Sequence, residues 1–219
     1  MRTGLLMSLL FASACSDAPA DSEARTSAEP SASVATDTPA GSTASDAAES
    51  DSVVVVFFGD SLTAGYGLAN PGAEAYPALL GRMLSDAGVP ARIINAGNSG
   101  ETSAGGLRRA DWVLARTRPD VFVLALGAND GLRGQDVAAM ESNLRATLAK
   151  VRASAPEARL VVAGIEALPN YGAEYTEAFR SVFPRVAADE GADLVPFLLK
   201  GVAGNRSLNQ ADQVHPTAQ

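Results

Sequence analysis

The chain has only one cysteine and one histidine among its 219 residues. With Cys15 alone, no intrachain disulfide can form, and a zinc site built from several thiolates is excluded. With His215 alone, any chemistry that needs an imidazole must use that one ring. Long apolar runs are missing as well: none approaches the roughly 18–20 residues that a membrane-spanning helix requires. Excess positive charge is absent too. The formal net charge is −8, and no basic block points to nucleic acid.

What is present places the chain among globular proteins, with 47% hydrophobic residues. The length suits one ordinary domain plus extra segments. The acidity is concentrated near the N-terminus: residues 16–52 carry eight acids against the single base Arg25. The remaining residues, 53–219, carry 17 acids and 15 bases and are nearly neutral.

Residues 1–15 read as an export signal. Arg2 supplies a positive start, residues 5–11 an apolar core, and Ala12-Ser13-Ala14 a small-residue cleavage site. Cys15 follows at once. Bacterial lipoprotein signals end in a similar small-residue run before a cysteine that is then lipidated, although Leu is the usual residue where Ala12 stands here. The expectation is a lipid anchor on Cys15 and an exported protein, periplasmic or held at the outer membrane, with no membrane contact beyond that anchor. The alternative is ordinary cleavage with an incidental cysteine. Residues 16–52 would then be the tether. They are rich in Ser, Ala, Thr, Asp, Glu and Pro, and Val34 is their only large aliphatic residue. Such a segment cannot bury enough apolar surface to offset its ordering entropy. As a flexible coil it would reach on the order of 30–35 Å.

The folded domain is expected over residues 53–219. Residues 53–58 are apolar without alternation, which suits a central parallel strand covered on both faces. Helix is expected over 75–87, stopped by Gly88, then over 104–116, 135–154 and 174–190. Further strands are expected at 91–95, 121–126, 160–164 and around 194–195. Strictly alternating strands and helices imply an open parallel sheet with right-handed crossovers.

In such sheets, ligands bind at the carboxyl ends of the strands. Four polar clusters fall there: Gly59-Asp60-Ser61-Leu62-Thr63 after the first strand, Asn95-Ala96-Gly97-Asn98-Ser99-Gly100-Glu101-Thr102 after the second, Leu126-Gly127-Ala128-Asn129-Asp130-Gly131 after the third, and Asp212-Gln213-Val214-His215-Pro216 after the fifth. Singly, each reads as well as a turn, a loop or a helix cap. Together they contain the parts of nucleophilic catalysis. A serine hydroxyl is a weak nucleophile until a base takes its proton. His215 is the only imidazole, and Asp212 lies three residues before it, near enough to hold its Nδ1 and leave Nε2 for Ser61. An oxyanion needs preorganised donors. The backbone N–H groups of Ser61 and Gly100 and the amide of Asn129 can supply them.

The block from Gly59 to Tyr66 resembles the nucleophile block of GDSL/SGNH hydrolases. Asn98-Ser99-Gly100-Glu101-Thr102 and Gly127-Ala128-Asn129-Asp130 are similar to that family's oxyanion blocks, and Asp212-Gln213-Val214-His215-Pro216 to its last block. The stretches from Leu126 to Gly134 and from Leu168 to Gly172 look like its bacterial arylesterase branch, which accepts aryl esters, lysophospholipids and acyl thioesters. The resemblance implies a three-layer α/β/α fold with a five-stranded, flavodoxin-like parallel sheet in the order 2-1-3-4-5. It implies a serine ester hydrolase with the triad Ser61, Asp212 and His215, an oxyanion hole of Ser61, Gly100 and Asn129, and neither metal nor organic cofactor. Tyr66, Leu132, Pro169, Asn170 and Tyr171 are expected to contact substrate, and their apolar or aromatic character favours acyl chains. The same fold supports carbohydrate O-acetylesterases, which remain the alternative. A non-catalytic binding lipoprotein is disfavoured by the intact set of chemical groups. Family members continue past the last block into an amphipathic helix. The chain ends four residues after His215, so that helix is expected to be missing and one sheet face thinly covered.

Overall fold

The computed structural model describes residues 52–219. The expected signal segment, Cys15, and the tether up to its last residue lie outside the described residues. Strand β1 (Val53–Gly59) leads into two helical turns, α1 (Ser61–Ala64) and α2 (Pro71–Glu74), and then into helix α3 (Tyr76–Asp86). There follow β2 (Ala91–Gly97), α4 (Ser103–Thr117), β3 (Val121–Ala125), the short α5 (Ala128–Leu132), α6 (Val137–Ser154) and β4 (Arg159–Ala163). A 3₁₀ turn (Pro169–Tyr171), α7 (Ala173–Asp189) and β5 (Asp193–Val195) complete the order. All five strands are parallel, in the order β2-β1-β3-β4-β5.

The order follows from hydropathy. β1 and β3 take the centre of the sheet because their runs are apolar at successive positions and can be buried on both faces. Val56 and Phe58 point to one face, where they join Phe122, Leu124 and Leu160 under α4, α6 and α7. Those helices contribute Leu114, Leu144, Leu148, Phe179 and Phe183, all essentially inaccessible to solvent. Val55 and Phe57 point the other way, and Phe57 meets Tyr76 of α3 edge to face, with ring centroids 5.5 Å apart. Among the described residues that second face is thinly covered. Val123 and Val161 are only half-buried, and Leu79, Leu80 and Met83 of α3 are exposed.

Local chemistry sets the helix ends. Asp136 caps α6 by accepting from the Ala139 N–H at 2.7 Å, and Thr102 caps α4 by accepting from Gly105. Pro184 lies inside α7, where a proline removes a helical hydrogen bond. The helix continues past it because Phe183, Val186 and Ala187 are buried on either side.

Candidate active site

Four segments converge at the carboxyl edge of the sheet. At the end of β1 the chain turns sharply into α1. Asp60 caps that turn, its Oδ1 accepting from the Leu62 N–H at 3.0 Å. Ser61 is thereby fixed as the first residue of a helical turn, and its N–H has no acceptor within the helix. The turn lies hard against β2. A Cβ at Gly97 would come within 2.2 Å of the Ala64 nitrogen, so only glycine fits there.

His215 reaches Ser61 from the far end of the sequence. Its Nε2 lies 2.8 Å from Ser61 Oγ, and its Nδ1 lies 2.8 Å from Asp212 Oδ2. Asp212 Oδ1 also accepts from the backbone N–H groups of Val214 and His215, at 2.9 and 3.0 Å. Those bonds favour the ionised carboxylate, and the His215 and Val214 contacts bring its pKa down to about 2. Asp212 is therefore charged at any working pH and fixes the proton on His215 Nδ1, which leaves Nε2 as the acceptor facing Ser61.

The segment carrying this pair has little regular structure, yet it is tied down. Gln210 donates from its backbone N–H to the His215 carbonyl at 2.7 Å and from its side chain to the Tyr66 and Pro216 carbonyls. Asn209, buried, donates to the Val202 and Asn205 carbonyls. Thr217 N–H bonds the Leu208 carbonyl at 2.8 Å. Tyr66 lies beside His215, with the two ring centroids 4.7 Å apart.

Asn129, on α5, lines the same cleft as Ser61, and Gly100 lies on the loop between β2 and α4. Gly100 has a positive φ of 79°, a conformation that a side chain would strain. Asn129 is buried at 8% exposure on α5. Two polar networks hold these loops. Asp130 accepts from both the N–H and the hydroxyl of Ser103, at 2.8 and 2.6 Å, which locks α5 to α4. Arg109 pairs with the buried Glu101 and also donates to the Gly59 and Ala96 carbonyls, at 3.1 and 2.8 Å. Its guanidinium stacks on Phe58 at 4.0 Å. One side chain thus joins the ends of β1 and β2 to the Gly100 loop. The sequence reading did not single out Arg109. Its only signal was position, on the helix expected over 104–116 and eight residues beyond Glu101.

Ser61 stands between two clefts. The larger, about 340 Å³, opens on the Asn129 side and is lined by Leu62, Leu132, Ile165, Leu168 and Phe197 among others. The smaller, about 200 Å³, opens on the His215 side, with Tyr66, Leu68, Tyr76 and Val202 in its walls. Of the residues expected to contact substrate, Tyr66 and Leu132 line these clefts. Pro169, Asn170 and Tyr171 do not; Leu168, immediately before them, does. The reason is local. The 3₁₀ turn carries Tyr171 away, its hydroxyl donating to the Leu132 carbonyl at 2.9 Å and its ring lying over Gly134. Tyr171 shapes the cleft from behind through Leu132.

Asp60, next to Ser61 in the chain, is a buried carboxylate, at 1% exposure. Its Oδ2 has no hydrogen-bond partner of normal geometry. Burial pushes its pKa from 3.8 up to about 6, against the opposing pull of the Leu62 N–H, His215 and the Asn129 amide. The folded state therefore binds this proton more tightly than the unfolded chain does. The stability it contributes is complete below pH 4 and is lost as the pH rises through about 6, a penalty of about 3 kcal/mol for two units. Asp60→Asn keeps the cap to Leu62 and removes the charge. Its melting temperature should exceed wild type at pH 8 and match it at pH 4, as thermal melts at the two pH values will read. An equal difference at both would mean that Asp60 carries no buried charge.

The GDSL-like Lipase/Acylhydrolase family profile matches residues 57–219. Esterase TesA of Pseudomonas aeruginosa is 45% identical over 158 residues, covering 72% of this chain and 77% of that protein. The Escherichia coli K12 protein described as thioesterase 1/protease 1/lysophospholipase L1 is 35% identical over 170 residues, covering 78% of this chain and 77% of that one. The crystal structure of AlinE4, an SGNH-hydrolase family esterase, superimposes with a TM-score of 0.70 at 43% identity, covering 76% of this chain and 87% of that one. The chain belongs to the GDSL-like lipase/acylhydrolase family. It is a serine ester hydrolase, acting on carboxylic esters.

Proposed function

We propose that hydrolysis runs through an acyl-enzyme on Ser61. As His215 Nε2 takes the proton, Ser61 Oγ attacks the ester carbonyl. The carbonyl oxygen becomes an oxyanion held by the N–H groups of Ser61 and Gly100 and by Asn129 Nδ2. On collapse, the proton on Nε2 passes to the leaving alcohol or thiol. Water then repeats the sequence in reverse and releases the acid. The observation that carries this reading is the unbroken chain from Asp212 through His215 to Ser61, with both contacts at 2.8 Å.

Proton delivery assigns the two clefts. The leaving group must lie where His215 can protonate it, which is the smaller cleft. The acyl chain then falls on the Asn129 side, in the larger and mainly aliphatic cleft. That lining supports acyl esters, acyl thioesters and lysophospholipids as substrates over acetylated sugars, which would need polar partners around the sugar ring. In a panel of p-nitrophenyl esters, butyrate and octanoate should be hydrolysed with higher kcat/KM than acetate, and an acetylated sugar should be poor. Acetate leading the panel, or the sugar being preferred, would overturn this assignment.

The protein is further proposed to be exported and held to a membrane through a lipid on Cys15, with the acidic tether spacing the domain from the surface. The support is the sequence of residues 1–15 and the tether composition.

A further inference from the structure

An asparagine can serve an oxyanion only with its nitrogen. Its oxygen in the same place would repel the developing charge. The two ends of a carboxamide are nearly equal in size, so neighbouring groups must decide which faces the cleft. Arg133 follows Asn129 by one helical turn, at the end of α5. Its Nη2 donates to the Gly100 carbonyl at 3.1 Å and, more weakly, to Asn129 Oδ1 at 3.4 Å. Asn129 also donates toward the buried Asp60 carboxylate, in a contact weaker than a hydrogen bond of normal geometry. A guanidinium only donates and an ionised carboxylate only accepts. Turning the amide over would set its NH₂ against the guanidinium and its oxygen against the carboxylate, two repulsive contacts in place of two attractive ones.

We infer that Arg133 is a positioning residue of the oxyanion site, holding the Asn129 amide nitrogen toward Ser61 and tying Asn129 to the Gly100 loop. Gly100 and Asn129 come from loops after β2 and β3, on either side of β1. One guanidinium nitrogen spans them and sets the distance between two of the three oxyanion donors. The inference rests on the reading of Asn129 and Gly100 as those donors. Arg133 itself is exposed and is absent from the lining of both clefts at Ser61. Removing it strands no buried charge and takes away no substrate contact.

The test uses the full chain and p-nitrophenyl butyrate, an uncharged ester. Arg133→Met should lower kcat on the order of tenfold, with KM within about twofold of wild type. Arg133→Lys should recover little, because the lysine nitrogen ends one bond short of the position of Nη2 and lacks the rigid plane that holds that nitrogen between its two acceptors. In an Asn129→Ala background, Arg133→Met should lower kcat by less than about threefold more, since two residues acting through one group are not additive. Unchanged kcat in Arg133→Met, full rescue by lysine, or a fully multiplicative loss in the double variant would each overturn the inference. Asn129→Ala separates the levels. If it alone leaves kcat intact, the oxyanion reading fails and this one falls with it. If it is strongly impaired while Arg133→Met is not, only the role of Arg133 is wrong.

Discussion

Ser61→Ala should lower kcat by a factor on the order of 10⁴–10⁶ while leaving the fold and substrate affinity nearly unchanged. The size of the loss follows from the mechanism. Without the hydroxyl there is no acyl-enzyme, and what remains is the modest benefit of binding and of the oxyanion donors. The intact fold follows from the environment. The Ser61 side chain is half-buried, and its Oγ meets His215 Nε2 at 2.8 Å. The backbone bonds of α1 run through Asp60 and the Ser61 carbonyl, which alanine keeps. Steady-state kinetics beside circular dichroism will check both halves. Activity above a percent of wild type in a folded Ser61→Ala variant would point to another nucleophile.

Asn129→Ala is expected to reduce kcat by roughly 10²–10³, equivalent to about 2.7–4 kcal/mol of transition-state stabilisation. KM should move little, because the bond strengthens only as the carbonyl oxygen gains charge. Alanine suits the short helix α5 in propensity, and the lock between Asp130 and Ser103 is untouched. A fall in kcat therefore reports chemistry rather than a collapsed loop. Unchanged kcat would reduce Asn129 to a turn residue.

Much of this site was legible in the sequence because its parts stand at strand ends. The strands announce themselves as apolar runs, such as the one from Val53 to Phe58, and parallel topology gathers whatever follows them at one edge. The single histidine left no choice of base. The spacing from Asp212 to His215 allowed their contact, which the turn through Gln213, with its positive φ of 59°, makes. The long helices likewise lie within two residues of their expected bounds at every end.

The parts that were not legible depend on long-range side-chain contacts or on single turns. α1 and α5 have four and five residues, too few to display a period, and are fixed instead by a cap at Asp60 and the positive φ of Gly127. Arg109 reads as one more polar residue on an amphipathic helix. Nothing local reveals that it reaches the Gly59 carbonyl fifty positions away. Tyr171 was expected at the substrate because its stretch, Leu168 to Gly172, resembles the arylesterase branch and offers apolar and aromatic contacts. Its hydroxyl instead has a backbone acceptor on the neighbouring loop, which fixes the ring away from the clefts.

The most direct test of the account is to label the active enzyme with a fluorophosphonate, whose phosphorus takes the place of the ester carbonyl carbon, and to map the adduct by peptide mass spectrometry. The account predicts one phosphonylated residue, Ser61, with activity lost in step with labelling and no adduct in His215→Ala within the same time. Stoichiometric label on any other serine, accompanying loss of activity, would contradict it.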